Sequence, residues 1–481
     1  MARAGPLLVG ALIFVFVGIA SGQTVLNISV DSLDDDEPTA GCTLREAITM
    51  ANNGMSESVG CVAIAAGSGE PRSFRIELPA FTYTLVGDGG ENDNLSGDLD
   101  VLGNLNIAGA GQNLTIIRGP SDDAVFHVIA ASARLRLEDL AVEGGGSGGI
   151  VSAGFLELDS IRVSDNRGTG VLSHGDLQVT QTIIDNNFAW ENGGGIYSDG
   201  RLTVSDTSIR QNGARGRGAG AYIAGPAILI DTVIAANSAS SDGGGLYATG
   251  PDDQLILGSA IVDNSSERTG GGVYVESALD LANTTIAGNV AEFEGGALVV
   301  APGPEGSVNL SHVTVTDNVA QEVGGIVGAP VGAGLILRLA NTIVAGNRSV
   351  GYQATADDCL RAFSDGFNLV GSNAGCIDTM PPGNPNRNGD FVGTSRIPFD
   401  PRLVRRGGLF TYFEPELSSA AVDRIPAADC VYRLSPVPGH ERPANDGDPV
   451  LVDQLRRQRD AQCDIGAVEI DLLFVAGFES P

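Results

Sequence analysis

An Ile or Val lying three residues ahead of an Asn recurs through the middle of the chain, and that recurrence limits the possible folds more than any other feature. The apolar column is Val163, Ile184, Ile209, Ile234, Ile261, Ile286, Val315 and Val344, with Asn166, Asn187, Asn212, Asn237, Asn264, Asn289, Asn318 and Asn347 behind it. Successive members lie 21, 25, 25, 27, 25, 29 and 29 residues apart. A further coil with Val142 precedes them, carrying Gly145 in the Asn position. Glycine clusters beginning at Gly193, Gly218, Gly243, Gly270, Gly295 and Gly324 follow the asparagines and lead into short apolar segments. Between clusters the apolar residues alternate, as in Leu202 and Val204 or Leu279 and Leu281, which is the period of a strand.

A unit of this size holds two or three short strands and cannot bury its apolar face alone, so the units must stack. At about 4.8 Å per coil the nine coils span roughly 40 Å. Leucine-rich repeats would add a helical segment, and propeller blades need four strands in about 40 residues. The expected fold is therefore all-β: a single-stranded right-handed parallel β-helix with a short N-terminal α-helical cap and a small C-terminal domain. In such a stack an Asn tolerates the left-handed backbone of a bend, and its amide can bond the Asn above and below. Losing one such bond would cost about 1 kcal/mol.

The ends divide the chain further. Arg3, the apolar run Leu7 to Ile19 and the small residues Ala20 to Gly22 read as a secretory signal at 1–22, leaving no membrane-spanning segment after cleavage. A cap is expected over 23–103, repeats over 104–350, a C-terminal domain over 351–470 and a tail over 471–481. Open sheet edges call for such covers. In CTLREAITMANN, Thr43 and Glu46 have capping-box spacing, and Leu44, Ala47, Ile48 and Ala51 share one helical face.

The net charge of −31 argues against nucleic acid and anionic membranes as partners. Neutral or cationic polymers and cations fit better. All 28 basic residues are arginine, so Schiff-base chemistry and a phosphate-loop lysine are excluded. Export makes disulfides the default for Cys42, Cys61, Cys359, Cys376, Cys430 and Cys463. Pairing neighbours in sequence is the simplest of the possible connectivities.

CTLREA at Cys42 to Ala47 resembles the Cys-Ser-Leu-Arg-Glu-Ala segment of a family of bacterial secreted β-helix proteins, with Thr43 in place of the serine. GDLDV from Gly97, LNIAGAG from Leu105 and TII from Thr115 are similar to that family's first coils. GFNLVG from Gly366, FDPRL from Phe399, SSAAVD from Ser418 and CDIGAVE from Cys463 resemble its choice-of-anchor domain. The segment Asp453 to Gln462 departs from that pattern, with Leu455 and Arg456 where Arg-Gly is expected. The coils also resemble the repeats of chlamydial polymorphic outer-membrane proteins, which are surface adhesins. The resemblance implies a secreted or envelope-associated protein of the extracellular space or outer cell surface.

Right-handed β-helices also host polysaccharide lyases and hydrolases, so enzyme chemistry is the competing reading, although a fold does not fix a function. Asp263 and Asp317 share a column, flank Gly288, and form the best carboxylate pair for hydrolysis, but Asp is also a common bend residue. Arg210 follows Asp185 by one coil and could serve as a lyase base or as a plain ion pair. Tyr197, Tyr222, Tyr247 and Tyr274 form an aromatic column that could bind sugar rings or simply pack; Val151, Leu172, Leu298 and Val327 are read as its continuation. Asp88, Glu91, Asp93, Asp98 and Asp100 crowd one loop and could ligate Ca²⁺ through oxygen. The four histidines are read as sharing no column and forming no cluster. Extracellular polysaccharide or cell-surface components are the expected partners, with binding, adhesion or scaffolding as the expected role.

Overall fold

The computed structural model describes residues 24–470 apart from 34, 36–40, 59, 67–70, 88, 91, 251–253, 353–356, 377, 409, 436–442 and 460–461. The expected signal segment and tail lie outside the described residues. Strands from successive coils align into sheets of 14, 13, 11 and 7 strands, parallel throughout except for one antiparallel edge pair, Thr24–Ser29 with Ala63–Ala66, in the largest. The apolar column lies on the 13-stranded sheet in the expected register, with Val163, Ile184, Ile209, Ile234, Ile261 and Ile286 paired rung on rung. It runs beyond the repeat in both directions, to Tyr83 and Ile117 before Val142 and to Val370 and Val392 after Val344. All these side chains are buried, and they join one continuous core. Parallel pairing therefore continues on both sides of 104–350.

Central coils carry four strands where two or three were expected. One coil runs through Ile196–Ser198, Leu202–Ser205, Ser208–Arg210 and Gly213–Ala214. The fourth, only two residues long, follows the Asn and stacks into the 7-stranded sheet.

The asparagines themselves do not take the left-handed conformation. The residue before each one does: Asp165, Asn186, Gln211, Ala236, Asp263, Gly288, Asp317 and Gly346 all have φ between 54° and 78°. This frees each Asn to turn inward and bond along the stack. The main-chain N–H and Nδ2 of Asn187 both donate to Asn212 Oδ1 at 3.0 Å, and Asn187 Nδ2 also donates to the Val163 carbonyl. The pattern repeats to Asn347, whose N–H and Nδ2 donate to Asp358 Oδ1, so a carboxylate ends the ladder. Asp358 Oδ2 accepts from Ser372 N, and burial pushes its carboxyl up to about 7.

The helix Leu44–Asn52 is the only one among the described residues, and Thr43 and Glu46 close its capping box. It buries Leu44, Ala47, Ile48 and Met50 against the first coils. Cys42 joins Cys61 beside it, while Cys359 joins Cys376 and Cys430 joins Cys463.

After the last rungs, the C-terminal residues fold back along the outer wall. The outward positions of the 13-stranded sheet explain where they land. They are charged at Arg162, Asp185 and Arg210, then turn small and apolar at Val233, Ala235, Ala260, Val262 and Ala287. Phe413, from the hairpin of Leu403–Arg406 with Tyr412–Pro415, packs on that apolar patch. Next to it Gln454 bonds Thr285 and Ser259, and Tyr432 and Arg459 bond Asn283. Arg459 pairs with Glu469 at 2.8 Å, both almost fully buried.

Candidate functional site

The outward face of the 11-stranded sheet carries the aromatic column. Tyr197, Tyr222, Tyr247 and Tyr274 each sit between inward residues of a three-residue strand, and parallel pairing sets them one above another. Their rings stack at 5.1 Å between centroids, within 2°, 4° and 11° of parallel. Stacked this way, the inner rings cover one another's faces; Tyr247 is fully buried, and the partly exposed Tyr197, Tyr222 and Tyr274 offer edges and hydroxyls to the surroundings. A sugar would therefore meet the strip through hydrogen bonds along its edge, since the ring faces are already in contact.

Charged side chains line that edge. Arg217 lies over Tyr247 at 4.9 Å and its Nη1 donates to the Tyr247 hydroxyl at 2.8 Å. Asp242 lies between Arg217 and Arg268 and accepts from Thr269 Oγ1 at 2.8 Å. At one end His174 meets Asp199 at 2.9 Å and packs edge-on against Tyr197. Burial pushes all four phenols above their ordinary value, and the nearby acids, including Glu276 beside Tyr247, add to the rise, so they stay neutral hydroxyls.

Beyond Tyr274 the column passes to Val299, then Val327 and Leu360. Leu298 belongs to the inward column instead, because it pairs with Val273 and Ile326. The column is one residue further from the Gly295 cluster than expected. In the other direction it passes through Leu172 and Val151 to His127 and Asp100. The histidines share no column with one another, but His127 stands beside acids of the loop: its Nδ1 lies 3.6 Å from Asp100 and 3.9 Å from Asp98. His127 lies one rung beyond Val151 in the same column. Asp93 is exposed nearby, and Asp88 and Glu91 lie outside the described residues.

The carboxylates considered for hydrolysis sit at left-handed corners, with φ of 56° at Asp263 and 58° at Asp317. Two coils apart, they stand at about 9.6 Å by strand spacing. Arg405 of the C-terminal hairpin bonds Asp263 Oδ2 at 2.8 Å. Burial raises the Asp317 carboxyl, opposed by Arg405 and Arg348. Asp185 is held between two arginines: Arg162 bonds both of its oxygens at 2.9 and 3.0 Å, and Arg210 approaches from the next coil at 3.3 Å. That bond to Asp185 holds Arg162 above its ordinary range.

A family model described as the right handed beta helix region matches residues 156–349. No curated protein matches the chain. Among solved structures it is similar to pectate lyase Pel9A, at 13% identity and a TM-score of 0.39, covering 83% of this chain and 88% of that one. It is also similar to the A-module of the Azotobacter vinelandii mannuronan C-5 epimerase AlgE6, at 15% identity and a TM-score of 0.36, covering 69% and 91%. At such identities and scores neither likeness bears on activity. Among the described residues no helix is long and apolar enough to cross a membrane. Sheet topology and family model together give an all-β right-handed parallel β-helix with one short helix among the described residues.

Proposed function

We propose that the chain is an exported β-helix scaffold that binds neutral polysaccharide or a glycan-bearing surface along the tyrosine edge of its 11-stranded sheet. The observation that carries this reading is the stacked tyrosine column with Arg217, Asp242 and Arg268 along its edge. It is a rigid row of hydroxyl and charged groups repeating at the coil spacing. Three disulfides suit an oxidising compartment outside the cell. The charge of −31 favours uncharged polymers over polyuronates. The competing enzyme reading rests on Asp263 and Asp317, whose spacing of about 9.6 Å lies just beyond the range for inverting hydrolysis. Against it stands Arg405, which already holds one of the two carboxylates.

Affinity electrophoresis in gels containing neutral or acidic polysaccharides tests the strip. The wild type should be retarded by a neutral polymer, and a Tyr197→Phe/Tyr222→Phe variant, which keeps the stack and loses two hydroxyls, should be retarded less. No retardation by any polymer, or equal retardation of both proteins, would remove the strip as the binding site.

A further inference from the structure

At the N-terminal end of the tyrosine column, Asp98, Asp100 and His127 each turn one ligand atom toward a common point. These atoms all lie within 4.8 Å of one another. The residues come from two adjacent coils: Asp100 and His127 are register partners of neighbouring parallel strands, and Asp98 precedes the first of them. The imidazole Nδ1 stands 3.6 Å from Asp100 Oδ1 and 3.9 Å from Asp98 Oδ2, too far for hydrogen bonds. Those gaps match the separation of two ligands that each sit about 2.0 to 2.2 Å from a shared ion. Both aspartates are buried, at 3% and 0% exposure, whereas His127 reaches the surface.

The surrounding structure fixes this arrangement from several sides. Arg45 of the CTLREA segment donates to the carbonyls of Asp98 and Gly97 at 2.7 and 2.8 Å, and its other bonds go to Asp35. Asn52, at the far end of the same helix, donates to the Asp100 carbonyl at 2.7 Å. Asn94 accepts from Asp100 N and donates its own N–H to Asp100 Oδ2 at 2.9 Å, which turns Oδ1 toward His127. The cap helix thus holds the backbone that carries both aspartates, as outer-shell partners do for metal ligands.

We infer that Asp98, Asp100 and His127 form a site for one divalent transition-metal ion, of the Zn²⁺ or Mn²⁺ class. Calcium prefers six to eight oxygens, whereas two carboxylates with an imidazole suit a smaller ion that accepts nitrogen. Three protein ligands would leave at least one coordination position to solvent or another ligand. This inference is independent of the polysaccharide reading, because it concerns the cap and the first coils alone.

The full exported chain, stripped with a chelator and dialysed, is titrated with Zn²⁺ by calorimetry and with Co²⁺ by visible absorption. One ion per chain should bind, and His127→Ala should weaken binding on the order of tenfold or more while keeping the wild-type melting curve of the metal-free protein. Asp100→Asn should act in the same direction, with His127→Ala as the surface variant that separates lost binding from lost folding. Three results would overturn the site: no stoichiometric Zn²⁺ or Co²⁺, equal binding by His127→Ala, or a response to Ca²⁺ alone. His127 ring resonances unaffected by added Zn²⁺ would overturn it as well.

Discussion

Replacing Asn237 with Ala probes the asparagine ladder where it is fully formed. Asn237 Oδ1 accepts from Asn212 N at 3.0 Å and from Asn212 Nδ2 at 3.1 Å, while its Nδ2 donates to Ile209 O at 3.0 Å and to Asn264 Oδ1 at 2.9 Å. Alanine removes all four bonds. Asn212 Nδ2 keeps Ile184 O, and Asn264 Oδ1 keeps the main-chain N–H of position 237, so each of these loses one partner of two. The Asn212 main-chain N–H loses its acceptor in a wall where Asn212 is 1% exposed. One orphaned buried donor costs about 1–3 kcal/mol and each of the three further lost bonds about 0.5–1.5, which gives about 2.5–7.5 kcal/mol in all. That exceeds the cost of about 1 kcal/mol expected when a single bond is counted. It also equals or exceeds the cost of about 2–5 kcal/mol for Ile234→Ala, a cavity mutation in the adjacent core column. Urea unfolding followed by circular dichroism, with the slope compared between variants, reads both. A loss of about 1 kcal/mol or less for Asn237→Ala beside a larger loss for Ile234→Ala would refute the fourfold role of the amide.

Burial raises the carboxyls of Asp358 and Asp464 to about 7, so between their ordinary range and that value the folded chain binds more protons than the unfolded one, and these groups lose stability as pH rises. The stability of the wild type relative to Asp358→Asn should therefore fall between about pH 4 and 7 in paired melts; a difference independent of pH would contradict this. Arg459→Ala leaves the buried Glu469 carboxylate without its partner and should cost about 3–5 kcal/mol, whereas Arg405→Ala breaks a half-exposed pair and should cost about 1 or less. Limited proteolysis of the C-terminal segment separates the two, and equal resistance would count against the docking described. Peptide mapping without reduction should recover Cys42 with Cys61, Cys359 with Cys376 and Cys430 with Cys463; any other partner would break the arrangement at that end.

The solenoid was legible because one column advertises itself: an Ile or Val three places before an Asn can hold its register only if coils stack. The outermost rungs lacked that signature and were passed over, although Val370 does have Asn373 three places on. Two-residue strands such as Gly213–Ala214 are too short to show a period, so the fourth sheet left no trace in the pattern. The ladder geometry was hidden for another reason. Left-handed backbone at the residue before each Asn is open to Asp, Gln, Ala and Gly alike, so no single residue type marks it.

Docking of the C-terminal segment depends on contacts between residues more than a hundred positions apart, such as Asn283 with Tyr432, which periodicity does not encode. A signal was nonetheless present in the outward column, where Asp185 and Arg210 give way to Ala235, Val262 and Ala287. An outer wall that turns apolar needs a cover. His127 sits one rung before Val151, where the column changes from apolar to charged residues, so the aromatic pattern alone does not mark it. The Asp98 and Asp100 loop was therefore read as an oxygen site alone.

Whether this wall binds or catalyses is tested most directly by incubating the purified chain with pectin, alginate, glycosaminoglycans and neutral polymers. Reducing ends and unsaturated uronates are followed with time. A binding scaffold predicts retardation by a neutral polymer with no release of either product, in the presence or absence of added Zn²⁺ or Ca²⁺. Sustained release that disappears in Asp263→Asn or Asp317→Asn would contradict that account and make the corner carboxylates an active site.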